Sequence, residues 1–238
     1  APLFAAAGGK LPLTGEVALN YDQSQSGRID LAALQYSDSK GTLRTSPAGL
    51  DISVSADRKR VSLSGQLAEF DFDIAESSND RPVSLKMRDL SLQAEKQKNA
   101  SGFALGPSSV TIRSMTIQSS PEMQIELQDA VIEEALTQNG GSLDQSMGYR
   151  IDRVLVQEQE VGGVKLALSA RHLDETALKA LEDAYNQLML SSLEGQEPGS
   201  DIGEEFKGLT LALLEGAPVL ALDEFSLNTA NGQGKAAL

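Results

Sequence analysis

The 238-residue chain contains no cysteine and no tryptophan, and has a single histidine. Without thiols it has no disulfides, thiol catalysis, iron–sulfur cluster or thiolate zinc site. It suits any compartment, including an oxidising one. Aromatics make up only 4% of residues against 40% hydrophobic in all. A core must therefore come from Leu, Ile, Val and Ala, which favours layered sheets over a deep aromatic pocket. No run approaches the roughly 18–20 apolar residues of a membrane-spanning helix. The start, "APLFAAAGGKLP", lacks an initiator Met and a signal-peptide pattern, and the end, "GQGKAAL", stops inside an alternating segment. These ends are read as those of a piece of a longer protein whose anchor lies outside it.

Charge is unevenly spread. Residues 1–119 hold 13 acids and 13 bases; residues 120–238 hold 21 acids and 7 bases and carry the whole net charge of −14. An acidic surface repels phosphate backbones and anionic head groups, which argues against nucleic-acid binding.

From residue 13 to about 170 apolar and polar residues alternate with period two, the mark of strands with one buried face. Leu50, Ile52 and Val54 oppose Asp51, Ser53 and Ser55; Phe70, Phe72 and Ile74 oppose Glu69, Asp71 and Asp73. "ADRKRVSL" reads as a tight turn, with Arg58-Lys59-Arg60 a charged hairpin tip. The sequon Asn99-Ala100-Ser101 reads simply as a turn. Connections are short and rich in Ser, Asn, Asp and Gly, so successive strands are expected to pair in order. Three segments (Arg88 to Gln93, Arg113 to Gln118, Arg153 to Gln157) share a local form. In the first two the apolar parity slips by one across the middle, as where Leu85 and Met87 give way to Leu90 and Leu92, a slip that a β-bulge or bend produces. The fold class is therefore mainly β (α+β): one elongated, curved antiparallel meander in a single domain over 1–238, with the sheet at 1–170, a helical pair at 171–216 and closing strands at 217–238.

After Leu168 the period changes. Asp174 is an N-cap, and Leu173 and Leu178 occupy the two positions of a hydrophobic staple. Leu178, Leu181, Tyr185 and Leu188 then share one helical face. "EGQEPGS" breaks this helix. Asp201 with Glu204 forms a capping box for a second, striped by Ile202, Phe206, Leu209 and Leu213, and ended by Gly216 and Pro218. The two amphipathic helices are expected to pack on the sheet. Phe70, Phe72, Leu178, Leu181, Tyr185, Leu188, Phe206 and Leu209 are the candidate apolar ligand or packing face.

No catalytic set emerges. His172 has neither a cysteine nor a G-x-S-x-G serine to serve, and its place two residues before an N-cap makes it a strand-exit corner residue rather than a base. No metal or cofactor is expected: Glu69, Asp71 and Asp73 line one strand face nearly 7 Å apart, too far to grip one ion together. They and the pairs Glu133–Glu134 and Glu204–Glu205 read as solvated faces. Paired carboxylates for glycoside hydrolysis are the one catalytic alternative that composition leaves open.

The segments "ARHLDETALKALEDAYNQ" and "LLEGAPVLALDEFSLNTANGQGKAAL" resemble the YdgA-like family of Gram-negative envelope proteins of unknown function. The resemblance covers roughly residues 160–238 and implies an N-terminal inner-membrane anchor and a periplasmic body. It brings no catalytic residues. The strand-rich style is also similar to AsmA-type envelope proteins, whose curved sheets hold lipid, although the serine-rich first half is short of large apolar residues for such a groove. The reading is a non-enzymatic envelope module acting in binding or assembly, with a lipid- or hydrophobic-ligand-binding groove as the alternative. A homodimer joined through residues 1–119 is expected, because serine-rich edge strands lack blunting prolines, Pro82 and Pro121 aside.

Overall fold

The computed structural model describes residues 2–74, 83–120, 123–193, 202–229 and 232–237. Among the described residues, thirteen strands and three helices follow in order: α1 (Pro2–Ala6), β1 (Leu13–Leu19), β2 (Gln25–Leu31), β3 (Leu34–Asp38), β4 (Gly41–Thr45), β5 (Ala48–Val54), β6 (Arg60–Ile74), β7 (Val83–Lys98), β8 (Ala104–Ser120), β9 (Met123–Asn139), β10 (Ser142–Val156), β11 (Gln159–Asp174), α2 (Glu175–Leu193), α3 (Ile202–Glu215), β12 (Val219–Thr229) and β13 (Gly232–Ala236). All strands belong to one open antiparallel sheet in the order β1-β2-β5-β6-β7-β8-β9-β10-β11-β12-β13. The fold is mainly β, as the alternation implies.

Sequence-order pairing fails once. The β3–β4 hairpin is set aside, and β2 pairs β5 instead. The cause is the length of β6, which pairs β5 along Val61–Leu67 and β4 along Phe70–Ile74. Its two partners are separated by Ser46-Pro47, where the Ser46 amide donates to the Glu69 carbonyl and the Ser46 hydroxyl accepts from the Glu69 amide. A proline cannot donate to the ladder, so the strand ends there.

The tight turn at residues 55–60 is present: the Arg58 amide donates to Ser55, and Asp57 accepts the Ser55 hydroxyl and the Lys59 amide. The Asn99 turn closes onto Phe103 through both backbone and side chain. Helix α1 was not expected from the sequence; it packs near β3. Pro82, Pro121, Asp201 of the expected capping box and the whole of "EGQEPGS" (194–200) lie outside the described residues.

The well-packed centre is small. Phe103, Leu143 and Leu173 are buried together, with Leu105, Leu136, Ala170, Leu178 and Leu213 against them. This is the corner where the helices meet the sheet. The Asp174 carboxylate accepts the Ala177 amide at 2.8 Å, capping α2, and Leu173 and Leu178 join the same cluster, so cap and staple form as expected. Elsewhere the sheet is a single layer. The chain exposes 15753 Å², where a compact monomer of 25.2 kDa exposes about 10,300 Å².

Candidate apolar binding face

Directly paired residues in an antiparallel sheet share a face, so the register shows what each face is made of. One row crosses the sheet as Leu13, Leu31, Ala48, Leu67, Leu90, Ile112, Ala130, Ile151, Val164, Leu227 and Gly234. The next runs from Gly15 and Ile29 through Leu50, Gly65, Leu92, Val110, Ile132, Tyr149 and Leu166 to Phe225 and Ala236. Neither row contains a charged side chain. The serine-rich first half supplies Leu13, Leu31, Leu67, Leu90 and Ile112 to one row and Ile29, Leu50, Leu92 and Val110 to the next. The face is built of many medium aliphatics, aligned by register and scattered in the sequence, where no single strand looks rich.

The slip of parity is also explained. Pairing passes from Leu67↔Leu90 to Glu69↔Arg88, from Leu90↔Ile112 to Arg88↔Ser114, from Ile112↔Ala130 to Ser114↔Gln128, and from Ile151↔Ala130 to Arg153↔Gln128. Ala68, Asp89, Arg113, Asp129 and Asp152 are thus stepped over along one line across five strands. Asp89 and Asp129 have φ of +50° and +53°. Because each strand inserts its additional residue at the same line, register is kept and the apolar face continues beyond it. There it consists of Phe70, Met87, Met115, Leu127 and Val154, then Leu43, Phe72, Leu85, Ile117 and Ile125.

The opposite face is polar. Ser53 and Ser62 hydroxyls lie 2.6 Å apart, as do those of Ser91 and Thr111. Lys165 reaches Glu224 at 2.6 Å, and Arg28 bridges Asp30 and Asp51. Of the acidic strand face, Asp71 is held by Arg88, and Asp73 accepts from Thr42. The Asp71 carboxylate in turn pushes the Arg88 guanidinium above its ordinary value. Glu133 and Glu134 sit on opposite faces, opposite Ser109 and Ser108 respectively, so they do not act as one pair. A cavity of about 760 Å³ crosses β6 to β11 and is lined by Ser62, Ser64, Glu95, Ser109, Glu133 and Gly148 among others.

Among the described residues, the helical corner packs against one end of the sheet, where Leu178 and Leu213 join Leu143 and Leu173. The helices pack mainly on each other and reach the sheet through α2 and β11. Leu178 enters the core cluster, Leu181, Leu188, Phe206 and Leu209 are half-buried, and Tyr185 is exposed. Phe70 and Phe72 belong to the same sheet face but at its other end: Phe70 pairs Met87, eleven residues along β7 from Lys98, or roughly 37 Å. The structure does not bring the aromatic pair and the helical stripe into one pocket. It makes them opposite ends of one long surface. Much of that surface is open, with Ile132 at 42% exposure in mid-sheet and Phe72 at 38% near its far end.

His172 stands in the irregularity between Leu143↔Leu173 and Gln145↔Ala170, exposed, with φ +58°. Its amide donates to Asp144 Oδ1 at 2.8 Å. It is a corner residue in position and conformation. Among the described residues, no three His, Asp or Glu side chains converge as a metal site would require, and no helix is long and apolar enough to cross a membrane.

The chain is 24% identical over 246 aligned residues to Protein YdgA of Escherichia coli (strain K12), with all of this chain covered but 48% of that protein. It therefore spans about half the length of the curated relative it matches. No solved structure matches. The family model described as bacterial protein of unknown function (DUF945) matches residues 1–238, so the whole chain, strand-rich half included, belongs to this YdgA-like family.

Proposed function

We propose that this chain is a non-enzymatic module of the Gram-negative cell envelope, facing the periplasm, that binds lipid acyl chains or a similar hydrophobic ligand along its open sheet face. The observation that supports this most is the pair of uncharged rows that cross eleven strands and stay largely uncovered. Monomeric proteins rarely leave contiguous apolar patches beyond a few hundred Å² unless something binds there. The character of the face favours an aliphatic ligand over a protein. Protein interfaces concentrate Trp, Tyr and Arg anchors, whereas these rows are nearly all Leu, Ile, Val and Ala. The Tyr149 hydroxyl is the one side-chain donor in the two rows, too little to set the register of a peptide. An acyl chain needs only apolar contact, and each buried CH₂ contributes about 0.8 kcal/mol.

The test is binding of a fluorescent fatty acid to delipidated protein, followed by native mass spectrometry of protein from an envelope extract. Ile132→Glu and Leu92→Glu, on the apolar face, should abolish binding. Ser109→Glu, on the other face, should leave it intact. No binding by folded wild-type protein, or equal loss from both faces, would sink the reading.

A further inference from the structure

We infer that the hydrophobic ligand is a phospholipid with a zwitterionic head, its primary ammonium seated on Glu134 and its phosphate at Lys96. This rests on the lipid reading above and adds to it a headgroup site and a direction. The register shows where the apolar face stops being apolar. From β5 to β12, the charged residues at its register positions are Lys96, Lys98 and Glu134, all toward the helical end.

The row beyond the uncharged pair runs Ile52, Leu63, Ala94, Ser108, Glu134, Met147, Leu168 and Leu222. One row further lie Val61, Lys96, Gly106, Leu136, Gln145 and Ala170. Lys96, Ser108, Glu134 and Gln145 thus come one each from the neighbouring strands β7 to β10, and all four are half-buried. The Lys96 Nζ donates to the Gly106 carbonyl at 2.9 Å, which sets its charge over β8. Among the described residues, Ser108, Glu134 and Gln145 have no side-chain hydrogen bond or ion pair. A carboxylate drawn from water onto an apolar face is costly unless donors reach it. Around Glu134, the neighbours Ser108, Met147, Ile132 and Leu136 offer one hydroxyl between them.

Charge and hydrogen bonding select the head. An ionised carboxylate only accepts, and a primary ammonium brings three N–H donors, where a trimethylammonium brings none. Gly106, which holds the Lys96 ammonium, is one strand across and two residues along from Glu134, or roughly 8 Å. The two charges therefore suit the two ends of one phosphate–ammonium head. A head of net negative charge is opposed by the −14 of the chain. The tails run away from the helices, over Leu92 and Val110 toward Leu85 and Ile117. Ala94 to Leu85 along β7 spans roughly 30 Å. One acyl chain spans half of a bilayer core about 30 Å thick, so the surface holds it at full length.

The test compares ethanolamine, choline and glycerol phospholipids of identical acyl chains, bound to the delipidated chain and read by native mass spectrometry. Wild type should bind the ethanolamine lipid severalfold more tightly than the other two. Glu134→Gln keeps the shape and removes the charge, and should erase that preference while the fluorescent fatty acid still binds. Glu133→Gln removes the same charge from the polar face, one residue away, and should leave the preference intact. Lys96→Met should weaken the ethanolamine and choline lipids alike. Should Glu134→Gln fail to fold by circular dichroism, the wild-type ranking decides alone. Equal binding of the three lipids, a preference that survives Glu134→Gln, equal loss from Glu133→Gln, or indifference to Lys96→Met would overturn the headgroup site. The lipid reading would then still stand on the fatty acid. No binding of the fatty acid or of any phospholipid would sink both.

Discussion

The His172 amide and the Asp144 carboxylate meet at 2.8 Å where β10 and β11 fall out of step. Asp144 thereby satisfies a backbone donor that the irregularity removes from the ladder. Asp144→Ala should cost about 0.5–1.5 kcal/mol, the net worth of one hydrogen bond. At His172, with φ +58°, glycine removes the Cβ penalty of the left-handed region. His172→Gly should therefore be at least as stable as His172→Ala, and His172→Val clearly worse. Chemical denaturation of the three variants gives the order. A fatty-acid-binding defect in a fully folded His172→Ala would contradict the corner role.

Asp174 caps α2 through the Ala177 amide, and the helix also receives Asn99 and Gln138 on Glu175. Asp174→Ala should destabilise by about 1 kcal/mol, seen as a lower denaturation midpoint with an unchanged slope. Asp174→Asn, which keeps a side-chain acceptor, should recover most of the loss.

These local features were legible because they depend on residues a few positions apart. The alternation of β5 to β11, the turn at 55–60, the cap at Asp174 and the staple Leu173/Leu178 are all of this kind. The face itself was not legible in the same way. Leu67, Leu90, Ile112, Ala130 and Ile151 become one row only when five strands are in register, and no single strand hints at it. The slip at Asp89 could be read from its neighbours, whereas Asp129 was missed because "EMQIELQDA" ends just as the parity changes. Phe103, a lone aromatic just past the Asn99 turn, carries no periodic signal in the sequence, yet it anchors the core. Setting aside β3–β4 depends on the length of β6, a non-local competition that composition does not reveal.

Several carboxylates are held below their ordinary values. Asp57 is lowered by the Ser55 hydroxyl and the Lys59 amide, Asp22 by the Ser24 hydroxyl and amide, and Glu224 by Lys165. A carboxyl with a depressed folded-state value stabilises the fold above its unfolded value and loses that contribution as pH falls through the folded one. Relief of the −14 charge on acidification acts in the opposite sense, so the total curve mixes the two. A difference isolates the first. Asp57→Asn should melt below wild type at pH 7, and the gap should close as pH falls below about 4. A gap that stays constant to pH 3 would rule out the linkage.

The line from Ala68 to Asp152 makes the last prediction. Asp89 and Asp129 hold φ of +50° and +53° in the interior of long strands, where the left-handed region costs a residue with a Cβ about 1–2 kcal/mol. Asp tolerates that region better than most residues. Arg113 also lies 3.5 Å from Asp89, but both side chains are well exposed, so that pair is worth no more than about 1 kcal/mol. Comparing Asp89→Gly with Asp89→Ala cancels the ion pair, since both variants lose it. Glycine should then be the more stable by about 1 kcal/mol, and Asp89→Val the least stable of the three. At Leu90, one residue on and back in regular strand, the order should reverse, because glycine there loses both packing and β-propensity. The pair of orders, read from urea midpoints, tests whether the strands step over one residue at this line. If Gly is worse than Ala at both positions, the additional residue is placed elsewhere and the apolar face does not continue across the line.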